Sequence, residues 1–182
     1  MPARVLHARD AHWRPSNQMG VLNCDLGKQL EAAPLAPRLW RLTPGQASTK
    51  HRHTTQTELY VVLEGTGRMR IGDDEPLTLA PRSSVLVDPD EVRQIFNDTD
   101  ADALWLVVGT PPELANTLEM TAAQLAQLYP DGPQALPPEL EGDCPASPAP
   151  VRPTSRSRPP RPPRRPLRRR WRAAQNRCRR LS

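Results

Sequence analysis

Between residues 38 and 109 the chain repeats one pattern: a short apolar or alternating run, then a Gly, Pro, Asp or Asn that ends it. The runs are 38–42 before Pro44-Gly45, 58–63 before Glu64-Gly65, 67–71 before Gly72-Asp73, and 77–79 before Pro81. They continue with 84–87 before Asp88-Pro89, 94–96 before Asn97-Asp98, and 103–108 before Gly109. Runs this short are strands, and spacing this close leaves no room for the crossover helices of a parallel sheet. The pattern predicts an all-β sandwich or barrel of six to eight strands.

The flanks differ. Residues 1–18 are polar and mixed, with Trp13 as the one large anchor. A short strand over 19–23 and one or two helical turns over 26–33, stopped by Pro34, are expected after them. After the barrel, 113–118 reads as a helical turn. Thr121 and Gln124 have the spacing of a capping box, and Leu125 and Leu128 follow on one helical face. This helix should end by Tyr129-Pro130 and pack its leucines on the outside of the barrel or on a partner chain. The domain reading is therefore an N-terminal extension (1–35), a barrel (36–112), a short helical segment (113–142) and a tail (143–182).

The tail is a different kind of sequence. Of the 25 basic residues in the 182-residue chain, 13 are arginines within 144–182, which holds no acid and no lysine. That leaves 12 basic against 20 acidic residues in the part before it. Like charges repel, proline lacks a ladder donor, and almost nothing apolar is available to bury, so disorder is expected. Three readings of the tail stand: polyanion binding through counterion release, a solvated extension without a role, or translation of a shifted frame through GC-rich DNA. Trp171 is the single aromatic residue among the tail's arginines, which argues against base stacking and against specific nucleic-acid binding.

Cys24, Cys144 and Cys178 have neither disulfide-framework nor zinc-motif spacing. The N-terminus lacks the pattern of a secretory signal, and no run approaches the ~20 apolar residues of a membrane span. A cytoplasmic location and no membrane association are expected.

The segment most charged with chemistry runs from Gly45 to Gly65. His51 and His53 alternate along an extended segment, so their rings share a face. Glu58 opens the following strand and can meet them across the turn. Two imidazoles and a carboxylate suit a divalent transition metal and leave open coordination positions. Tyr60 shares the parity of Glu58 and should face the lumen, and Trp40 should either line the pocket or plug the barrel. Gly45 and Gly65 are expected in tight turns, and Asn97 is expected to hold a turn by bonding to backbone.

Gly45, His51, His53, Glu58 and Gly65 resemble the first motif of the cupin superfamily at every fixed position, and the resemblance spans roughly 36–109. The second motif is degraded. Asn97 fits its last position, Arg93 stands where the fourth ligand, a histidine, is usual, and Asp88 and Asp90 stand where a proline and a glycine are usual. The chain is most similar to small single-domain cupin 2 proteins. That resemblance implies a double-stranded β-helix (jelly-roll) barrel, a homodimer, and a metal (iron, manganese, nickel or zinc) on His51, His53 and Glu58.

Arginine has no lone pair to give a metal. Arg93 then either clamps an anionic ligand beside a three-ligand metal, or pairs with Glu58 in a metal-free pocket. The functional expectations follow from that choice. One is a metal-dependent small-molecule enzyme or its relic. Another is a non-catalytic ligand-binding or sensory cupin that takes a small anion with Arg93, Tyr60 and Trp40. A third is polyanion binding by the tail.

Overall fold

The computed structural model describes residues 3–113 and 118–142, and the expected turn over 113–118 and tail over 143–182 lie wholly or mostly outside that range. In chain order the strands are β1 (Arg14–Pro15), β2 (Leu22–Asp25), β3 (Ala36–Leu42), β4 (Thr57–Glu64), β5 (Gly67–Ile71), β6 (Leu77–Leu79), β7 (Ser84–Val87), β8 (Arg93–Phe96) and β9 (Ala103–Thr110). Three short helices accompany them: α1 (Leu26–Leu30), α2 (Ala122–Leu128) and α3 (Pro138–Glu141). All seven strands expected between 38 and 109 are present. The N-terminal strand begins three residues later than its sequence suggests, at Leu22 rather than 19.

Two antiparallel sheets form. One has six strands in the order β1-β2-β3-β9-β4-β7, and the other has three in the order β6-β5-β8. Their ladders do not join into one continuous barrel. Isolated bridges at Ala47–Phe96 and His51–Arg93 tie the loop before β4 to β8.

The large sheet shows the expected period of two. On β9, Ala103, Trp105, Val107 and Gly109 are buried, and the residues between them are half-buried. On β4, Glu58, Tyr60 and Val62 are buried while Leu59 and Leu63 are exposed. Trp105 is the plug: it is fully buried in a cluster with Val62, Met69 and Tyr60. Gly67 makes room for it, since a Cβ there would lie 2.8 Å from the indole and 2.4 Å from Val62.

Strand β8 departs from alternation, with all four residues buried. Its second face is covered by the C-terminal segment. Gln94 Nε2 donates to the carbonyls of Ser48 (2.8 Å) and Ala135 (2.9 Å). The Arg70–Glu139 ion pair (2.6 Å) ties α3 to β5, and the Arg52 N–H donates to the Leu128 carbonyl. The capping box of α2 is complete, Leu128 is buried and Leu125 half-buried. Of the two surfaces expected for these leucines, Leu128 is used against its own barrel.

Gly65 turns the chain between β4 and β5 at φ +73°. A Cβ there would meet the Asp102 carbonyl oxygen at 2.2 Å, whereas Gly45, at φ +79°, has open space around it. Gly45→Ala should therefore cost only the left-handed backbone penalty, about 1–2 kcal/mol. Gly65→Ala should cost about 3–4 kcal/mol, because the backbone of a second strand must also shift. Urea unfolding of both variants checks this; equal costs would contradict it.

Candidate metal centre

Strand β4 delivers Glu58 and Tyr60 to the interior on one face, two residues apart. The loop before it is held in extended form against β8. His51 and Arg93 exchange backbone hydrogen bonds (3.0 and 2.8 Å), Ser48 N–H donates to Ile95 O, and His53 N–H donates to Pro89 O. This near-strand conformation puts both imidazoles on the side of Glu58.

One carboxylate oxygen is the meeting point. His53 Nε2 lies 3.4 Å and His51 Nε2 3.7 Å from Glu58 Oε2. Tyr60 donates its hydroxyl to the same oxygen. The candidate ligand atoms of His51, His53 and Glu58 all lie within 4.8 Å of one another.

Burial alone would raise the Glu58 carboxyl, but the imidazoles of His51 and His53 beside it hold it well below the usual carboxylate range. Burial and the Glu58 charge push the Tyr60 phenol well above its ordinary value, so it remains a donor.

The site fits a cation on its own chemistry. His51 Nδ1 is 3.0 Å from the Thr49 carbonyl, which can only accept. Nδ1 therefore carries a proton, and Nε2 is the ring nitrogen turned toward Glu58. His53 is 5 % exposed, and neither of its ring nitrogens has a hydrogen-bond partner. Buried imidazole nitrogens without hydrogen-bond partners, set beside an ionised carboxylate, form a donor set that a divalent cation would satisfy.

Arg93 pairs with Glu58, one of the two placements the sequence leaves open, and adds contacts to the turn before β8. Its side chain is fully buried, with Nη2 donating to Asp88 O (2.7 Å) and Nη1 to Pro89 O (3.3 Å). Its Nε is 3.9 Å from Glu58 Oε2 without a hydrogen bond. A unit pair at that distance is worth roughly 4 kcal/mol at an effective dielectric of 20. Arg93 thus balances Glu58 from behind while holding the turn before β8, and it is not among the residues lining the cavity. Gln94 points away from the site, as alternation predicts. Asn97 donates to the Leu42 and Ala101 carbonyls and holds a turn, as expected.

The cavity in front of the triad measures about 160 Å³ and includes His51, His53, Glu58, Tyr60 and Trp40 in its wall. That is well below the size of a drug-sized site, so it suits a small molecule. Trp40 both lines it and packs on the core cluster.

Glu113 is a site residue that sequence reading missed. It lines the same cavity, with Oε1 3.6 Å from His53 Nδ1. Its carboxylate accepts from the backbone N–H groups of Thr54, Thr55 and Gln56 at 2.9–3.3 Å. No residue pattern marks it, because its partners are main-chain donors in a turn 57 to 59 residues away.

Burial would raise the Glu113 carboxyl, but the backbone donors of Thr55 and Thr54 outweigh that and bring it to about 2. A carboxyl depressed by folding adds stability that is complete above its ordinary value near 4.5 and is lost as the pH falls toward 2. Between those pH values the wild type should lose more stability than Glu113→Gln. Denaturant midpoints across that range check this, and parallel curves would contradict it.

Residues 38–109 match the family model for the cupin domain. No curated protein sequence matches the chain. Among solved structures it is similar to a cupin-superfamily sugar phosphate isomerase from Silicibacter pomeroyi, at 27% identity and TM-score 0.55, over 60% of this chain and 76% of that one. It is also similar in fold to a predicted oxalate decarboxylase from Thermotoga maritima (21%, TM-score 0.52, 58% of this chain and 97% of that one). A polyketide cyclase from Streptomyces resistomycificus shares the fold as well (19%, TM-score 0.53, 64% and 89%).

Proposed function

We propose that this chain, a cupin-domain protein, binds a divalent transition metal through His51, His53 and Glu58 and takes a small anionic molecule in the cavity before them. The observation that carries the metal is the pair of orphaned nitrogens on buried His53 beside an ionised Glu58. Iron, manganese, nickel or zinc would each suit this donor set and, when bound, would supply Lewis acidity with open positions for a ligand.

The chain's own residues do the positioning. Thr49 fixes the His51 tautomer, Tyr60 holds one Glu58 oxygen, and Arg93 compensates the buried charge from the side away from the ligand. The sugar phosphate isomerase at 27% identity supports a small anionic ligand and makes an isomerase-type enzyme one form of this reading.

A second reading is a non-catalytic binding or sensory cupin. It is favoured by Arg93, which stands beside His51 in register and is committed to turn carbonyls, so no fourth protein ligand comes from that position. The tail's proposed polyanion binding lies outside the described residues.

Elemental analysis tests the metal. The full chain should carry about one equivalent of one transition metal, or accept it on reconstitution, and His51→Ala/His53→Ala should retain less than a tenth of it. A wild type that stays empty after reconstitution would overturn the metal and leave the binding-module reading.

We further propose a homodimer. The outer face of the large sheet supports it: Leu59 pairs with Leu86 and Val108, and Val61 with Leu106, which pairs with Leu39. Leu59 and Leu86 are 38% and 66% exposed. Leu86→Glu should halve the mass seen by light scattering. A wild-type monomer, or an unchanged dimer in the variant, would contradict this.

A further inference from the structure

We propose that Arg38 and Arg14, not Arg93, recognise the anionic group of the ligand, so that the cavity reads a carboxylate or phosphate at one end and presents the histidine–carboxylate triad at the other. This deepens the reading of the same cavity and rests on it. Both arginines line the cavity and Arg93 does not. Arg93 has already committed its donors to Asp88 and Pro89.

The register of the large sheet shows how the ends are separated. Arg38 on β3 lies opposite Val107 on β9, which lies opposite Tyr60 on β4. One step along the same inner face, Ala36, Gly109 and Glu58 form the parallel row. Strands lie about 4.8 Å apart, so the Arg38 and Tyr60 backbones are separated by roughly 10 Å across the sheet. Both side chains line the same cavity, which leaves a gap suited to a short molecule rather than a long chain. Val107, which lies between Arg38 and Tyr60 in the register and lines the cavity, supplies an apolar wall between the ends.

Arg38 is held but not used up. Asp25 Oδ2 lies 3.1 Å from one terminal nitrogen, while the Asp25 Oδ1 caps α1 at Lys28 N–H. A guanidinium anchored on one edge keeps its other edge as a rigid fork for an oxyanion. Arg14 reaches the same cavity from the N-terminal hairpin. Its backbone carbonyl is gripped by the side-chain amide of buried Asn23, and its guanidinium donates to the Asn17 side-chain oxygen at 3.4 Å. Among the described residues it has no carboxylate within ion-pair range. The N-terminal extension therefore completes the binding wall.

The two acids of the cavity, Glu58 and Glu113, both sit against the histidines. The cavity is thus divided by charge, with cations at one end and acids with imidazoles at the other. A molecule with one anionic head and a polar, metal-seeking opposite end fits that division.

Tryptophan fluorescence tests this with two probes, inorganic phosphate and malonate, on the full chain both stripped with chelator and loaded with manganese. Wild type should bind at least one probe saturably; phosphate alone or malonate alone would identify the head group, and either supports the proposal. Arg38→Gln should weaken binding about tenfold and Arg14→Gln about threefold, the loss of a charge-assisted bond.

Arg41→Gln removes the same charge from the β3 position two residues past Leu39, where the side chain pairs with Asp102 outside the cavity, and should leave binding unchanged. Should circular dichroism show Arg38→Gln unfolded, Arg38→Lys, which keeps the charge without the fork, and Arg14→Gln decide instead. Absence of binding by folded wild type, wild-type affinity in the cavity variants, or equal weakening by Arg41→Gln would overturn the proposal. Arginine-dependent binding to the stripped protein would uphold it even if the metal reading fails.

Discussion

A buried ionised carboxylate is among the most expensive groups a small domain can hold, and Glu58 is one. What surrounds it follows from that cost. Tyr60 is on the same strand face because a period of two puts it there, and it donates to the same oxygen that the histidines approach. Arg93 lies within 3.9 Å from the other side. The loop carrying His51 and His53 is zipped to β8 by backbone bonds, which fix where both side chains leave the main chain. Even with these groups in place, the two ring nitrogens of His53 have no hydrogen-bond partner. A cation among the three side chains would satisfy the His53 nitrogens that the fold leaves without hydrogen-bond partners.

The segments outside the barrel have separable tasks. The C-terminal segment seals the outer face of β8, satisfying Gln94 through the Ala135 carbonyl, and Glu113 just after β9 organises the Thr54–Gln56 turn beside His53. The N-terminal hairpin works at the opposite end of the cavity, where β1 and β2 extend the large sheet and bring Arg14 to its edge. A barrel trimmed to residues 38–109 would keep the triad and lose Glu113 and Arg14.

The parts of this architecture that depend on local pattern are legible in the sequence. Turn residues delimit every barrel strand, and alternation correctly sends Glu58, Tyr60 and Val62 inward. The spacing of His51, His53 and Glu58 between Gly45 and Gly65 singles out three residues that the fold brings together, and the capping box of α2 forms as its residues imply. What depends on tertiary coverage is not legible. Arg93 has the right parity to face the lumen, but its long side chain turns back to the carbonyls of Asp88 and Pro89, which alternation cannot reveal. The burial of all of β8 has its cause some 40 residues away in the C-terminal segment. Glu113, Arg14 and Arg38 come from elements joined only by folding, and nothing in their immediate sequence marks them. Trp40 was expected to line or plug; it lines the cavity, and Trp105 is the plug.

The central claim is that three side chains, organised on one carboxylate, make a metal centre without a fourth ligand from position 93. Titration of the metal-stripped full chain with cobalt(II), followed by visible absorption, tests it most directly. The account predicts ligand-field bands that saturate at one equivalent per chain and vanish in Glu58→Gln. Absence of saturable bands in the folded wild type, or bands that persist unchanged in Glu58→Gln, would contradict it.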